Sequence, residues 1–112
     1  MKDPKILRNK EDFNRLFKKG KSVPSRCVVM LHTENGLPYS RRAFLASKKV
    51  GNSVQRHRAV RLMRESFRQI VSEYTLQEGK DFLFIARSTI KDLKCADVKK
   101  SIEAAMKREG CI

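Results

Sequence analysis

The sequence predicts a single α+β domain in which helices pack against a mixed sheet. Three observations lead there. The chain has 112 residues, the size of one hydrophobic core. No internal repeat, low-complexity tract or Pro/Gly/Ser-rich linker divides it, so 1–112 reads as one unit. Its apolar spacing alternates between helical and extended periods in the order α, β, β, α, β, α. The last strand is reached through a helical crossover of the kind parallel strands require.

Each element has its own signal. Asn9, followed three residues later by Asp12, reads as a helix opening, with Glu11 and Asp12 suited to the positive end of the helix dipole. Phe13, Leu16 and Phe17 recur at helical spacing, and Gly20 stops the run after Lys18 and Lys19. Residues 26–33 are apolar and β-branched, Asn35-Gly36 marks a turn, and 41–49 reads as a second strand. Together they propose an antiparallel pair.

Gly51-Asn52-Ser53 breaks that strand, and Ser53 is the expected N-cap of a helix over 54–74, which holds no Gly or Pro. At 100° per residue, Val60, Met63, Phe67, Ile70 and Tyr74 fall within about 40° of one meridian and form an apolar seam. His57, Arg61, Arg64 and Arg68 follow the i, i+4, i+7, i+11 spacing of a row beside it. Residues 81–87 are almost continuously apolar, as in a strand buried on both faces. A final helix over 95–108 turns Val98, Ile102, Ala105 and Met106 inward, with Gly110 just beyond.

Charge narrows the function. Lys and Arg number 26 against 12 Asp and Glu, a net +14, which points to a polyanionic partner. The excess is local. Residues 41–68 hold nine basic groups against Glu65 alone, whereas 69–112 hold eight basic and seven acidic. No apolar stretch approaches the roughly 20 residues that span a bilayer. Met1-Lys2-Asp3-Pro4-Lys5 is followed by no apolar segment, which argues against a secretory signal and for a cytoplasmic protein. Cys27, Cys95 and Cys111 lack C-x-x-C spacing, and His32 and His57 lack an H-x-x-x-H partner, so reduced thiols and no zinc site are expected.

No catalytic residue is expected in the polypeptide. The two histidines stand 25 positions apart with no carboxylate at a usable spacing. Gly20-Lys21-Ser22 imitates the end of a phosphate-binding loop, but the glycine that motif needs is Arg15. No acidic cluster suits Mg²⁺, and Glu11-Asp12 is explained by the helix start. The arginine row instead matches a phosphate backbone, which guanidinium forks grip while condensed counterions leave. An isolated row is equally well a solubilising face. The neighbouring Lys48-Lys49 and the scarcity of acids decide for nucleic acid. Phe13 and Phe17 lie one turn apart among Arg15, Lys18 and Lys19; cations bordering rings suit single-stranded nucleic acid, although spacing alone favours core.

These residues also carry a resemblance. Ser47-Lys48-Lys49-Val50-Gly51-Asn52-Ser53-Val54, running into Arg56-His57-Arg58 and Arg61-Leu62-Met63-Arg64-Glu65-Ser66-Phe67, closely resembles the signature of the bacterial ribonuclease P protein subunit. The Phe13-x-x-x-Phe17-Lys18-Lys19-Gly20-Lys21-Ser22 run and Asp81 to Arg87 are similar to that family in the same order. The resemblance implies a two-layer α/β sandwich on a mixed, mostly antiparallel sheet of about four strands, with a left-handed β-α-β crossover where the general rule is right-handed. It implies a ribonucleoprotein that removes the 5′ leader of precursor tRNA, the RNA subunit doing the hydrolysis with Mg²⁺ bound at its own active site.

By position, Lys48, Lys49, Asn52, Arg56, Arg58, Arg61, Arg64 and Arg68 would meet the RNA subunit. Phe13, Phe17, Arg15 and Lys18 would meet the leader. The chain departs from the family pattern at His57, where the Arg-Asn-Arg triplet has Asn, and at Val60, where a basic residue is usual. It also departs near Met30-Leu31, where a cleft aromatic is replaced. From charge and size alone, a ribosomal or ribosome-assembly RNA-binding protein is the alternative, and a free-standing nuclease a third reading.

Overall fold

The architecture is that of a computed structural model describing residues 3–112. Met1 and Lys2, the start of the N-terminal stretch read above, lie outside the described residues. In chain order the elements are α1 (Lys10–Lys19), β1 (Lys21–Pro24), β2 (Val28–Glu34), β3 (Arg41–Leu45), α2 (Ser53–Glu73), β4 (Lys80–Ala86), a short 3₁₀ helix (Ser88–Asp92) and α3 (Cys95–Arg108). The sheet order is β1-β2-β4-β3. β1, β2 and β4 are antiparallel, and β3 runs parallel to β4. The α+β class and the mixed four-stranded sheet are as expected.

The proposed hairpin of 26–33 with 41–49 does not form, because β4 lies between the two strands. Both β2 and β4 are apolar on their two faces, and seven aligned positions from Val28↔Ala86 to Glu34↔Lys80 bring them together. Asn35-Gly36 is a turn, with Gly36 at φ +72, but it folds over the head of β4. Asn35 N–H donates to Gly79 O at 2.9 Å and Lys80 N–H to Ser40 Oγ at 3.1 Å. β1 escapes sequence reading because it has four residues with only Val23 buried. β3 stops at Leu45, short of 49, because Val50 and Gly51 N–H turn back to Ser47 and Lys48 carbonyls.

Alternation along the strands divides the core. Val28, Met30, Phe82, Phe84 and Ala86 face α2 and α3 in the larger cluster. Leu31, Ala43 and Leu83 face the other way, against Leu7 and Leu16 of the α1 side. β4 is buried on both faces, as its composition implied. α3 has the expected bounds, and its four named residues are buried. The α2 seam is corrected: Ala59, Met63, Ser66, Phe67 and Ile70 are buried, while Val60 and Tyr74 are only half-buried. The stripe is turned by roughly 35° from the expected meridian because α2 packs on α3 as well as on the sheet. Ser66 Oγ, on that flank, donates to Leu62 O at 2.7 Å and lies 3.6 Å from Cys95 Sγ.

A buried ionic network fixes α1 to the sheet. Asp81 is fully buried and receives Arg41 Nε and Nη2, each at 2.8 Å, and Asn35 Nδ2 at 2.9 Å. Arg41 Nη1 also reaches Asp12 of α1 at 3.2 Å. The hydrogen bonds to Asp81 raise the Arg41 pKa above its ordinary value. Asp12 therefore does more than favour the helix dipole. Arg41→Met removes both guanidinium hydrogen bonds from the buried Asp81 and leaves it only the Arg15 charge at 3.7 Å, and the expected loss is about 3 kcal/mol of unfolding free energy. Urea denaturation measures it; a loss below about 1 kcal/mol would show that Asp81 finds other solvation.

Candidate nucleic-acid interface

The approach to α2 is stiff. Val50 is buried in the larger core cluster and anchors the turn that presents the exposed Lys48 and Lys49. Gly51 has φ +143, and a Cβ there would lie 1.9 Å from Gln55 Oε1, so only glycine fits. Gln55 needs that space. Its Oε1 accepts from Asn52 N–H at 2.9 Å, while Asn52 Oδ1 accepts from Gln55 N–H at 2.9 Å. This reciprocal capping box makes Asn52 the N-cap and corrects the expectation of Ser53. The amide reaches across the first turn, a bond Ser53 cannot make because it is already the first helical residue. Arg56 Nη1 donates to Gly51 O at 3.2 Å, binding the same junction.

Down α2, His57, Arg61, Arg64 and Arg68 are all exposed, on the side away from the buried stripe. Their neighbours treat them differently. Arg68 is gripped by Glu65 through two hydrogen bonds, which hold the Glu65 carboxyl down to about 2. That pairing is complete above the ordinary carboxylate range and fails only as pH falls toward about 2, so Arg68 is engaged at neutral pH. Arg58, on another flank, donates to Lys91 O at 3.2 Å and Leu93 O at 2.7 Å and pins the link to α3. Among the described residues, Arg61, Arg64, Lys48 and Lys49 have no carboxylate within ion-pair distance. Val60, at the family's basic position, packs against the core.

A second surface of different character lies on the α1 side. Phe17 is 57% exposed, whereas Phe13 is half-buried against the Leu7, Leu16 and Leu83 cluster. Spacing alone could not separate the two. Register aligns Pro24, Val29, Ile85 and Leu45 across the four strands on this same face. Val29 and Ile85 are half-open and Leu45 is 39% exposed, so an apolar strip remains uncovered. Leu31, where the family aromatic is replaced, is buried on this face and offers no ring. Lys18 is exposed. Arg15 is drawn into the ionic network, 3.2 Å from Asp12 and 3.7 Å from Asp81.

The sequence reading did not single out Asp81 or Arg41 as a pair. The one available signal was an acid at the head of an otherwise apolar strand. It also passed over Arg42, whose guanidinium lies 5.8 Å from the Phe67 ring centroid at the sheet edge.

The sequence and the fold both have parallels among known proteins. Residues 1–110 match the protein family described as Ribonuclease P. The chain is 40% identical over 108 residues to the ribonuclease P protein component of Pelotomaculum thermopropionicum, covering 96% of this chain and 95% of that one. It is 39% identical over 102 residues to the same component of Caldanaerobacter subterraneus, covering 91% and 86%. Among solved structures it resembles the RNase P protein of Staphylococcus aureus, with a TM-score of 0.84, 31% identity, and 97% and 98% of the two chains covered. The RNase P protein of Thermotoga maritima superposes with a TM-score of 0.79 at 29% identity, covering 91% and 94%.

The capping assignment is directly testable. Asn52→Ala should cost about 1 kcal/mol of stability, while Ser53→Ala should stay within about 0.5 kcal/mol of the parent. Thermal or urea denaturation separates the two. The reverse order would return the cap to Ser53.

Proposed function

The chain belongs to the ribonuclease P protein family, and from that premise we propose that it serves its ribonucleoprotein endoribonuclease by holding two RNAs at once. The α2 row and its Lys48-Lys49 turn bind the ribonuclease P RNA subunit. The α1 side binds the single-stranded 5′ leader of precursor tRNA. One observation carries this reading: two surfaces of unlike chemistry share one sheet, Arg61 and Arg64 standing without a carboxylate partner on α2 and an exposed ring beside an open apolar strip on the opposite face.

The chemistry of each surface fits its RNA. Arg61, Arg64, Lys48 and Lys49 are available to phosphates, with the guanidinium groups able to bind bidentately. Asn52, Arg56 and Arg58 contribute by fixing the junction and the α3 link from which the cations project. Arg68 is held in reserve by Glu65. Phe17 offers a stacking face, Phe13 sets its base, Lys18 supplies charge, and Arg15 holds the helix through Asp12. A protein that merely coats structured RNA would use the cationic row but has no need of the Phe17 strip.

In this reading leader hydrolysis belongs to the RNA subunit, with Mg²⁺ supplying Lewis acidity there. On the protein, the two carboxylates at the junction of α1 and the sheet, Asp12 and Asp81, are occupied by Arg41 and Arg15. Multiple-turnover cleavage of precursor tRNA at low Mg²⁺, with the RNA subunit present and this protein added or omitted, tests the function. Stimulation is expected. No effect would favour an RNA-coating role, and cutting without the RNA subunit would favour a nuclease.

If the row meets phosphates, Arg61→Ala with Arg64→Ala weakens RNA-subunit binding and flattens its log–log salt slope by about 0.7–0.9 per lost contact. Glu65→Gln should steepen the slope by releasing Arg68. Filter binding across a salt series reads both, and parallel slopes would remove the row from the interface. Phe17→Ala should weaken binding of leader-bearing precursor by about 1–3 kcal/mol and leave mature tRNA almost unaffected. Equal losses on both ligands would make Phe17 a structural residue.

A further inference from the structure

The edge of the sheet at β3 carries a feature that neither RNA surface uses by itself. A groove of about 300 Å³ wraps that edge, at the small end of ligand clefts. Its lining includes Ile6, Phe13, Ala43 and Leu45, together with Arg42 and Arg64. Ile6 is 41% exposed. Phe13 and Leu45 belong to the α1-side surface and Arg64 to the α2 row, so the groove borders both surfaces and joins them around the edge.

Charge and hydrogen bonding select the occupant. Among the described residues, neither Arg42 nor Arg64 has a carboxylate within ion-pair distance. The Arg42 guanidinium lies over the Phe67 ring, on the α2 side of the edge. The backbone of Arg42 is already paired on the open edge: its N–H donates to Lys5 O and its C=O accepts from Leu7 N–H, each at 2.9 Å. A peptide adding a strand at that position is therefore blocked. What remains is an apolar slot with two cationic residues in its lining, complementary to a base and its phosphate.

We propose that the precursor leader continues past Phe17 and around the β3 edge, seating one nucleotide in this groove. Its base lies against Ile6, Phe13 and Leu45, and its phosphate lies between Arg42 and Arg64. The strand then arrives on the side of the protein that faces the RNA subunit, where cleavage takes place. This rests on the leader-binding reading above and adds a subsite to it.

The test uses holoenzyme reconstituted with the cognate RNA subunit. Precursor tRNAs with leaders shortened one nucleotide at a time, and mature tRNA, are titrated against wild type, Arg42→Gln and Ile6→Ser. Ile6 is exposed and lies outside the apolar strip, so its substitution spares the core, and equal urea midpoints verify folding of both variants. Each variant is expected to lose about tenfold in affinity, at the same leader length and beyond, with no change for shorter leaders, mature tRNA or the RNA subunit. Arg42→Lys should recover part of the Arg42→Gln loss by restoring the charge.

Losses that are equal at every leader length would overturn the subsite, as would weakened RNA-subunit binding, which would assign the groove to the ribozyme. Unchanged variants beside a wild type that still gains affinity with leader length would overturn the groove alone. A wild type indifferent to leader length would overturn the leader-binding reading and this proposal together.

Discussion

The burial of β4 on both faces is the constraint from which the rest of the molecule follows. A strand with Phe82 and Phe84 on one side and Leu83 on the other must be covered twice. α2 and α3 cover one face and α1 covers part of the other. The strand also carries Asp81 into the interior, and a buried carboxylate is tolerable only with its charge matched and its oxygens bonded. Arg41 meets that demand from the parallel neighbour β3 and passes the connection on to Asp12 of α1. The small helix is thus held by directional bonds as well as by Leu16. The position of the exposed Phe17 one turn later is a consequence of how a charge at the head of β4 is satisfied.

Elements were legible in the sequence where local pattern and tertiary demand agree. The 95–108 helix is bounded by its own periodicity and by Gly110, and the apolar run of β4 describes its burial directly. The sequence was less informative where a distant partner decides. β2 and β3 each read as strands with a turn between them, yet the stronger two-faced match of β2 is with β4, some fifty positions away, and local turn chemistry carries no trace of it. The four residues of β1, with Val23 their only buried side chain, become a strand because β2 offers an edge. The α2 seam is turned because α3, forty residues on, claims one flank of the helix.

The candidate site divides along the same line. The spacing of His57, Arg61, Arg64 and Arg68 placed them on one exposed side of α2, as helical geometry requires. Which of those charges remain available was not written in the spacing. Arg58 is taken by carbonyls of the 91–93 link and Arg15 by an aspartate far along the chain. Glu65 beside Arg68, like Asp12 beside Arg15, is a three-residue separation that helical geometry brings together. Asn52 shows a residue from the resemblance acquiring a structural duty that its spacing to Gln55 already permitted.

The junction before α2 bears on how association proceeds. Its turn, its reciprocal cap and the Arg56 bond to Gly51 are complete within the protein. Loss of backbone freedom there is therefore settled during folding and is not charged again when a partner arrives. A ligand meeting this corner encounters a template whose shape is already decided. Under the proposed assignment of this corner to the RNA subunit, any mutual adjustment at the contact falls to the RNA, whose helices and loops come to the protein's geometry.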